Sequence, residues 1–275
     1  MRFKKFFGRA GDKIEKIPIP EKCQVLGRTM YLQNKGSQFQ QLAKYGIWEE
    51  ETTKYFLENV SEGDVALDVG ANIGYFTLLF ASLVGKEGKV FSFEPEPSNF
   101  EILKKNVKLN NFQNVELQNA AVGDSSGELE LYLSEKAAGQ HRIYESNNSG
   151  KNHITVRAIN LDEFFNNNYL SEKISFIKID AEGSEFGVLK GMEKILSQNK
   201  NINLIMEFSP EQIRDYGADP TVQLQYLKNL GFDFYVVDKV GKKQHKFDEL
   251  EKIIKTFEGS SENILCKKTR INNSI

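Results

Sequence analysis

The stretch that most restricts what this chain can fold into is "DVALDVGANIGYFTLLF", residues 64–80. An apolar run bounded by Gly63 and Gly70 predicts a buried strand. Phe76, Leu79, Phe80, Leu83 and Val84 then recur at helical spacing up to Gly85. Between strand and helix, Asp68, Gly70, Asn72 and Gly74 fall at every second position. A turn of this kind either reverses the chain or offers bare backbone to a ligand. Gly70 can adopt angles closed to other residues and puts no side chain in the way, and Gly74 lets the helix start close to the strand.

The same rhythm continues down the chain. "KVFSFEP" reads as a second strand stopped by Pro95. Ser98 and Glu101 read as a capping box ahead of a stripe of Phe100, Leu103 and Val107. "NVELQNAAVG" reads as a third strand. "GELELYL" and "HITVRAI" alternate apolar and polar residues, as a half-exposed antiparallel pair would, around a long polar loop rich in Gly, Asn and Ser. "ISFIKID", a helix through Val188, Leu189, Met192, Ile195 and Leu196, and "INLIMEF" restore the alternation. "FDFYVVD" and "NILCKK" form a closing pair of strands. Strands alternating with helices argue for an α/β fold with a mostly parallel sheet covered on both faces. Residues 1–50 are less regular and form an N-terminal tail and cap segment on the domain of residues 51–275. The sequence holds no internal repeat and no linker.

Composition narrows the function classes. The chain has 275 residues and a formal net charge of −2, which gives no global attraction to nucleic acid. Its two cysteines, Cys23 and Cys266, make neither a disulfide framework nor a metal cluster, and a reducing cytoplasm is the simplest compartment. No run approaches the ~18 apolar residues of a membrane span. The first 20 residues concentrate Arg2, Lys4, Lys5, Arg9, Lys13 and Lys16 around Phe3, Phe6 and Phe7. A solvated tail is the simpler reading of them, and weak contact with an anionic membrane surface the other.

Glu94 ends the second strand, 20 positions after Gly74. In nucleotide-binding sheets an acid at that distance accepts from two ribose hydroxyls. A dinucleotide loop would read G-x-G-x-x-G, with a helix N-terminus for the pyrophosphate. Here the pattern is D-x-G-x-N-x-G, whose extra carboxylate repels a pyrophosphate and suits a ligand bearing a cation. S-adenosylmethionine, with its ammonium and sulfonium beside an adenosine, fits that chemistry better than a nicotinamide dinucleotide.

"DVGANIGYFTLLFA", "FEPEPSNFEILKKNVKLNN", "NAAVGD", "LDEFF" and "IKIDAEGSEFGVLKGM" follow one another with the order and spacing of the FkbM family of S-adenosylmethionine-dependent methyltransferases, which the chain resembles from about residue 45 to 240. The resemblance implies a Rossmann-like class I methyltransferase fold, seven strands with a reversed final strand, and methylation of a hydroxyl on a sugar, glycan or secondary metabolite. It also implies that Asp68, Gly70, Ala71, Asn72 and Gly74 hold the methionine side of the cofactor. Glu94 with Pro95 matches the ribose acid, and Asn119, Ala120 and Ala121 the adenine edge. The resemblance extends to Glu49, in a segment with the single Trp48 that closes over the cofactor or simply starts a helix.

A hydroxyl is a poor nucleophile, so a base or a metal is expected beside it. Lys178, Asp180, Glu182 and Glu185 follow the fourth strand and Glu207 ends the fifth, all at the carboxyl edge where such sheets bind ligands. Alternation puts Lys178 and Asp180 on one face, where a buried lysine needs a carboxylate partner. His141, in the long loop, is the candidate base, and Lys178, Asp180 and Glu182 are the other catalytic candidates; Asp180 also borders the cofactor. Asp180, Glu182 and Glu207 could instead hold a divalent cation, although their spacing does not demand one. A nicotinamide oxidoreductase and a non-catalytic nucleoside- or partner-binding protein are the rival readings. The first lacks its third glycine, and the second would show a decayed cofactor position where none is found.

Overall fold

We describe a computed structural model of the chain, covering residues 18–33, 36–134, 141–145, 152–166, 173–237 and 244–268. The basic N-terminal stretch and much of the long polar loop lie outside the described residues. The chain opens with a hairpin, β1 (Lys22–Val25) and β2 (Arg28–Tyr31), and helices α1 (Ser37–Tyr45) and α2 (Glu50–Asn59). Next come β3 (Val65–Val69), α3 (Tyr75–Leu83), β4 (Lys89–Phe93), α4 (Pro97–Leu109) and β5 (Val115–Gln118). Three strands follow, β6 (Ala121–Val122), β7 (Gly127–Tyr132) and β8 (His153–Ile159), and then α5 (Leu161–Phe164). The second half runs β9 (Ile174–Ile179), α6 (Glu185–Lys190), α7 (Glu193–Gln198), β10 (Asn203–Phe208), α8 (Pro210–Asp215) and α9 (Pro220–Asn229). It closes with β11 (Phe232–Val237), β12 (Gln244–Phe247), α10 (Leu250–Phe257) and β13 (Glu262–Lys268).

The main sheet has the order β12-β11-β13-β10-β9-β3-β4-β5. The strands from β10 to β5 are parallel, while β13 runs antiparallel to both β10 and β11. These seven strands, with β13 reversed, are the class I methyltransferase sheet. β12 adds an eighth strand at the edge, paired to β11, so the expected count of seven is one short. The short, polar "QHKF" carries too little apolar alternation to announce itself.

Period-two alternation divides the core in two. Leu67, Val69, Phe91, Phe93, Ile177, Ile179, Leu204 and Met206 face one cluster with α6, α7, α9 and α10. Ala66, Val90, Phe176 and Ile205 face the other, with α1 to α4. There the Phe56 ring meets Phe76, Phe80 and Phe176 edge to face, at centroid distances of 5.8, 4.6 and 6.4 Å. Each such pair adds about 0.5–1.5 kcal/mol to the area buried.

Two local expectations are corrected. The cap of α4 is Glu96, whose side chain accepts from the Asn99 N–H at 2.6 Å, with Pro97 in the first turn; Ser98 lies inside the helix, so Ser98 and Glu101 form no capping box. The "NVELQNAAVG" run is two strands. After β5 the chain bends at Ala120 and leaves the main sheet, and β6 pairs with β8 in a three-stranded sheet completed by β7. Among the described residues, no helix is long and apolar enough to cross a membrane.

Candidate active site

At the carboxyl ends of β3, β4, β9 and β10 lies a cavity of ≈ 310 Å³. Its floor is the turn after β3. Gly70, Asn72 and Gly74 all have positive φ, at 78°, 50° and 97°, which is why residues that tolerate left-handed backbone fall at every second position. The Gly70 and Ala71 N–H groups both donate to the Phe93 carbonyl at 3.0 Å, tying the turn to the end of β4. A Cβ on Gly70 would lie 1.8 Å from the Asp180 carbonyl oxygen, so only glycine lets the turn approach the end of β9.

Glu94 is buried at the wall. Its Oε2 accepts from the Asn72 N–H at 2.7 Å and its Oε1 from the Glu96 N–H at 2.9 Å. Oε1 also accepts from the Asn99 side-chain amide at 3.5 Å, while Oε2 keeps a lone-pair site beyond its one bond. Burial pushes its carboxyl up to about 7, against the pull of the two N–H groups. Asn119 donates to the Glu94 and Pro95 carbonyls at 2.8 and 3.1 Å, so its side chain fastens this corner, and Ala120, Ala121 and Pro95 line the cavity beside it. Asp68 is buried and accepts from the Thr77 hydroxyl at 2.5 Å; burial raises it to about 6.

Lys178 is buried on the Asp180 side of β9, as the alternation requires. Its Nζ is 3.4 Å from Asp180 Oδ2, 3.7 Å from Glu49 Oε2 and 3.2 Å from Asn263 Oδ1, and lies 5.4 Å from the Phe76 ring centroid. Burial alone would lower the ammonium, but Glu49, Asp180, Glu207 and Asp68 outweigh it and hold it charged. Glu49 has a left-handed φ of 42° at the start of α2 and accepts from the Trp48 indole N–H at 3.2 Å. Lys178 thus ties the segment before α2 to the end of β9.

Asp180, Glu182 and Glu207 each offer one oxygen, all within 4.8 Å of one another, a hard-oxygen set that could hold a divalent cation. Glu207 Oε1 accepts from the Ser261 hydroxyl at 2.5 Å, while Oε2 is buried with no partner. Burial and the neighbouring carboxylates push Glu207 up to about 8 and Glu182 well above its ordinary value. Glu185 sits elsewhere. It bends back to accept from the Ala181 and Gly183 N–H groups, so it props the turn after β9 instead of facing the cavity. Tyr144 holds the same turn from outside, donating to the Glu182 carbonyl at 3.0 Å.

His141 lines the cavity, half-buried, with its imidazole lowered by burial. Its Nδ1 accepts from the Ser134 N–H at 3.1 Å. A neutral ring with Nδ1 as acceptor carries its proton on Nε2, so the free edge is a donor. Sequence reasoning did not find the α1 residues Gln38 and Phe39, nor Asn263 on β13. Gln38 and Phe39 line the cavity and Asn263 bonds Lys178 and Glu49 at its edge, all through long-range packing that no local pattern marks.

Sheet order, the reversed strand and the two-glycine turn define a class I methyltransferase fold. Residues 68–234 match the methyltransferase FkbM domain, and the chain belongs to that family. Among curated relatives, the hexuronic acid methyltransferase AglP of Haloferax volcanii is 31% identical over 159 residues, 58% of this chain and 61% of that protein. The chain therefore spans about three fifths of that relative's length. The methyltransferase sdnD of Sordaria araneosa is 25% identical over 207 residues, 65% of this chain and 77% of that protein. A solved FkbM methyltransferase from Methylobacillus flagellatus superposes with a TM-score of 0.43 at 14% identity, covering 84% of this chain and 54% of that one.

Proposed function

We propose that this chain is an S-adenosylmethionine-dependent O-methyltransferase whose acceptor is a hydroxyl on a sugar, glycan or secondary metabolite. The observation that carries the reading is one continuous cavity, with a bare-backbone turn and a buried ribose-type acid at one end and a carboxylate cluster at the other. The name of the relative AglP supports a sugar acceptor. When bound, S-adenosylmethionine supplies a methyl group already activated by the sulfonium.

In this reading Glu94 accepts from the ribose hydroxyls, Ala120 and Ala121 border the adenine, and the 70–74 turn with Asp68 receives the methionine end. Glu49 and Trp48 close the cleft, held by Lys178. Acceptor and methyl group must lie in line, so most of the catalytic gain is positioning. We assign proton acceptance to Glu207, which lines the cavity, keeps one carboxylate oxygen without a partner, and has a raised carboxyl matched to a base working near neutrality. His141, its Nδ1 occupied, orients the acceptor from Nε2–H. A second reading is favoured by the proximity of the three carboxylate oxygens: a divalent cation held there would supply Lewis-acid activation of the hydroxyl.

Calorimetry tests the cofactor. S-adenosylhomocysteine should bind with micromolar affinity, and Glu94→Ala should weaken binding by about 1.5–3 kcal/mol, the worth of hydrogen bonds to a charged group. Tight binding of a nicotinamide dinucleotide, without response to S-adenosylmethionine or its product, would overturn the reading.

A further inference from the structure

A second cavity, of ≈ 320 Å³, lies against the first. Trp48, Glu49 and Glu207 line both, and Glu51, Thr52, Ser261, Glu262 and Asn263 complete the polar part of its wall. Along the sheet, Glu94 follows β4, the glycine turn follows β3, Asp180 follows β9 and Glu207 closes β10. The second cavity continues that line one strand further, where Glu207 and Phe208 pair with Asn263 and Glu262 at the start of β13. A cofactor laid from Glu94 toward the glycine turn leaves this end of the crevice for the acceptor.

Its chemistry is specific. One indole, pinned by its N–H to Glu49, stands beside carboxylates, an amide and a hydroxyl. An aromatic face covers the C–H surface of a sugar ring while the polar groups take its hydroxyls. Charge adds a second requirement. Six carboxylates line the two cavities besides Asp68 and Glu94: Glu49, Glu51, Asp180, Glu182, Glu207 and Glu262. Among the described residues, the one lysine or arginine lining either cavity is Lys178, and Glu49 and Asp180 already share it. We infer that the second cavity is the acceptor subsite, and that it takes an uncharged sugar ring or one bearing an amino group while refusing a uronic acid, the sugar class for which the relative AglP is named.

The inference rests on the methyltransferase reading and deepens it. A carboxylate added here meets no unshared lysine or arginine in either lining and faces like charges, which select against it. An ammonium would instead meet the indole face and the acids together.

Trp48 is the single tryptophan of the chain, so its fluorescence reports on this cavity. The full chain, saturated with S-adenosylhomocysteine in the presence of chelator, is titrated with the methyl glycosides of glucosamine, glucose and glucuronic acid. Cofactor binding is followed in parallel by calorimetry. The glucosaminide should perturb Trp48 at a concentration at least about tenfold lower than the glucuronide, with the glucoside between them. Glu262→Lys should narrow that gap, and Trp48→Phe should abolish the signal. Glucuronide binding as tight as that of the glucosaminide would overturn the inference. So would glucuronide binding that appears when manganese replaces the chelator, because the acids would then hold a cation. Intact cofactor binding with no sugar response fails the subsite alone, whereas failure of cofactor binding fails both readings.

Discussion

Gly70→Ala is the substitution whose cost the structure lets us assemble. At φ = 78° an alanine occupies left-handed backbone, worth about 1–2 kcal/mol. Its Cβ would stand 1.8 Å from the Asp180 carbonyl oxygen and 2.9 Å from its carbon, both backbone atoms with no rotamer to swing aside. Relief requires the turn and the end of β9 to separate by about 1 Å, an overpacking cost of about 1–3 kcal/mol. That movement also stretches the 2.9 Å bond from the Asp180 N–H to the Val69 carbonyl, about 0.5–1.5 kcal/mol more. The total, about 2.5–6.5 kcal/mol, is a large share of a domain's stability. Gly231→Ala isolates the first contribution, since Gly231 has φ = 89° and nothing within 4 Å of its Cβ position. Urea unfolding of both variants and the wild type, with calorimetric titration of S-adenosylhomocysteine, supplies the comparison. Gly70→Ala should lose at least about twice what Gly231→Ala loses, and cofactor affinity with it. Equal losses in the two variants, or wild-type cofactor affinity in Gly70→Ala, would refute the close-approach argument.

The wild-type rate should fall below about pH 8, and Glu207→Gln should remove that fall and lower turnover by about 10²–10⁴, the worth of a positioned proton acceptor. His141→Ala should retain that pH profile; a profile abolished by His141→Ala and kept by Glu207→Gln would reverse the assignment. Asp68, Glu94 and Glu207, raised to about 6, 7 and 8, bind their protons more tightly folded than unfolded. The stability they contribute is therefore complete below the ordinary carboxyl range and lost as pH rises through 6 to 8. The urea midpoint of the cofactor-free protein should accordingly fall across that window, and a rising midpoint would contradict it. Lys178→Met should destabilise by about 3 kcal/mol, the low end for breaking a buried pair, because the Glu49 and Asp180 side chains keep 18% and 33% of their exposure. A chemical-denaturation loss under about 1 kcal/mol would show that the pair is solvated like a surface one.

The central part of the fold was legible because its signals are local. Five fully buried residues in β3, the helical stripe after Gly74 and the turn residues between them all lie within one short window, and each level of the pattern points the same way. Glu94 was legible for a similar reason, since its distance from the turn is fixed by one helix and one strand. What escaped depends on distant parts of the chain. β12 is recognisable only by its partner β11, and Asn263 becomes a site residue only when β13 inserts antiparallel beside β10.

The carboxylates show how far spacing can go. Strand-end position brought out Asp180, Glu182, Glu185 and Glu207 alike, yet the structure separates them by which N–H groups lie within reach. Glu185 is consumed by the Ala181 and Gly183 N–H groups and becomes part of the turn. Glu207 finds one hydroxyl, from Ser261, and keeps a buried oxygen unanswered. Leaving a buried acceptor unpaired costs about 1–3 kcal/mol, and a fold that retains one in a cavity wall has a partner from outside the chain as its simplest account. The sequence can place an acid at the right edge of a sheet; whether it is spent on the backbone or held for a ligand is decided by hydrogen bonds that no spacing encodes.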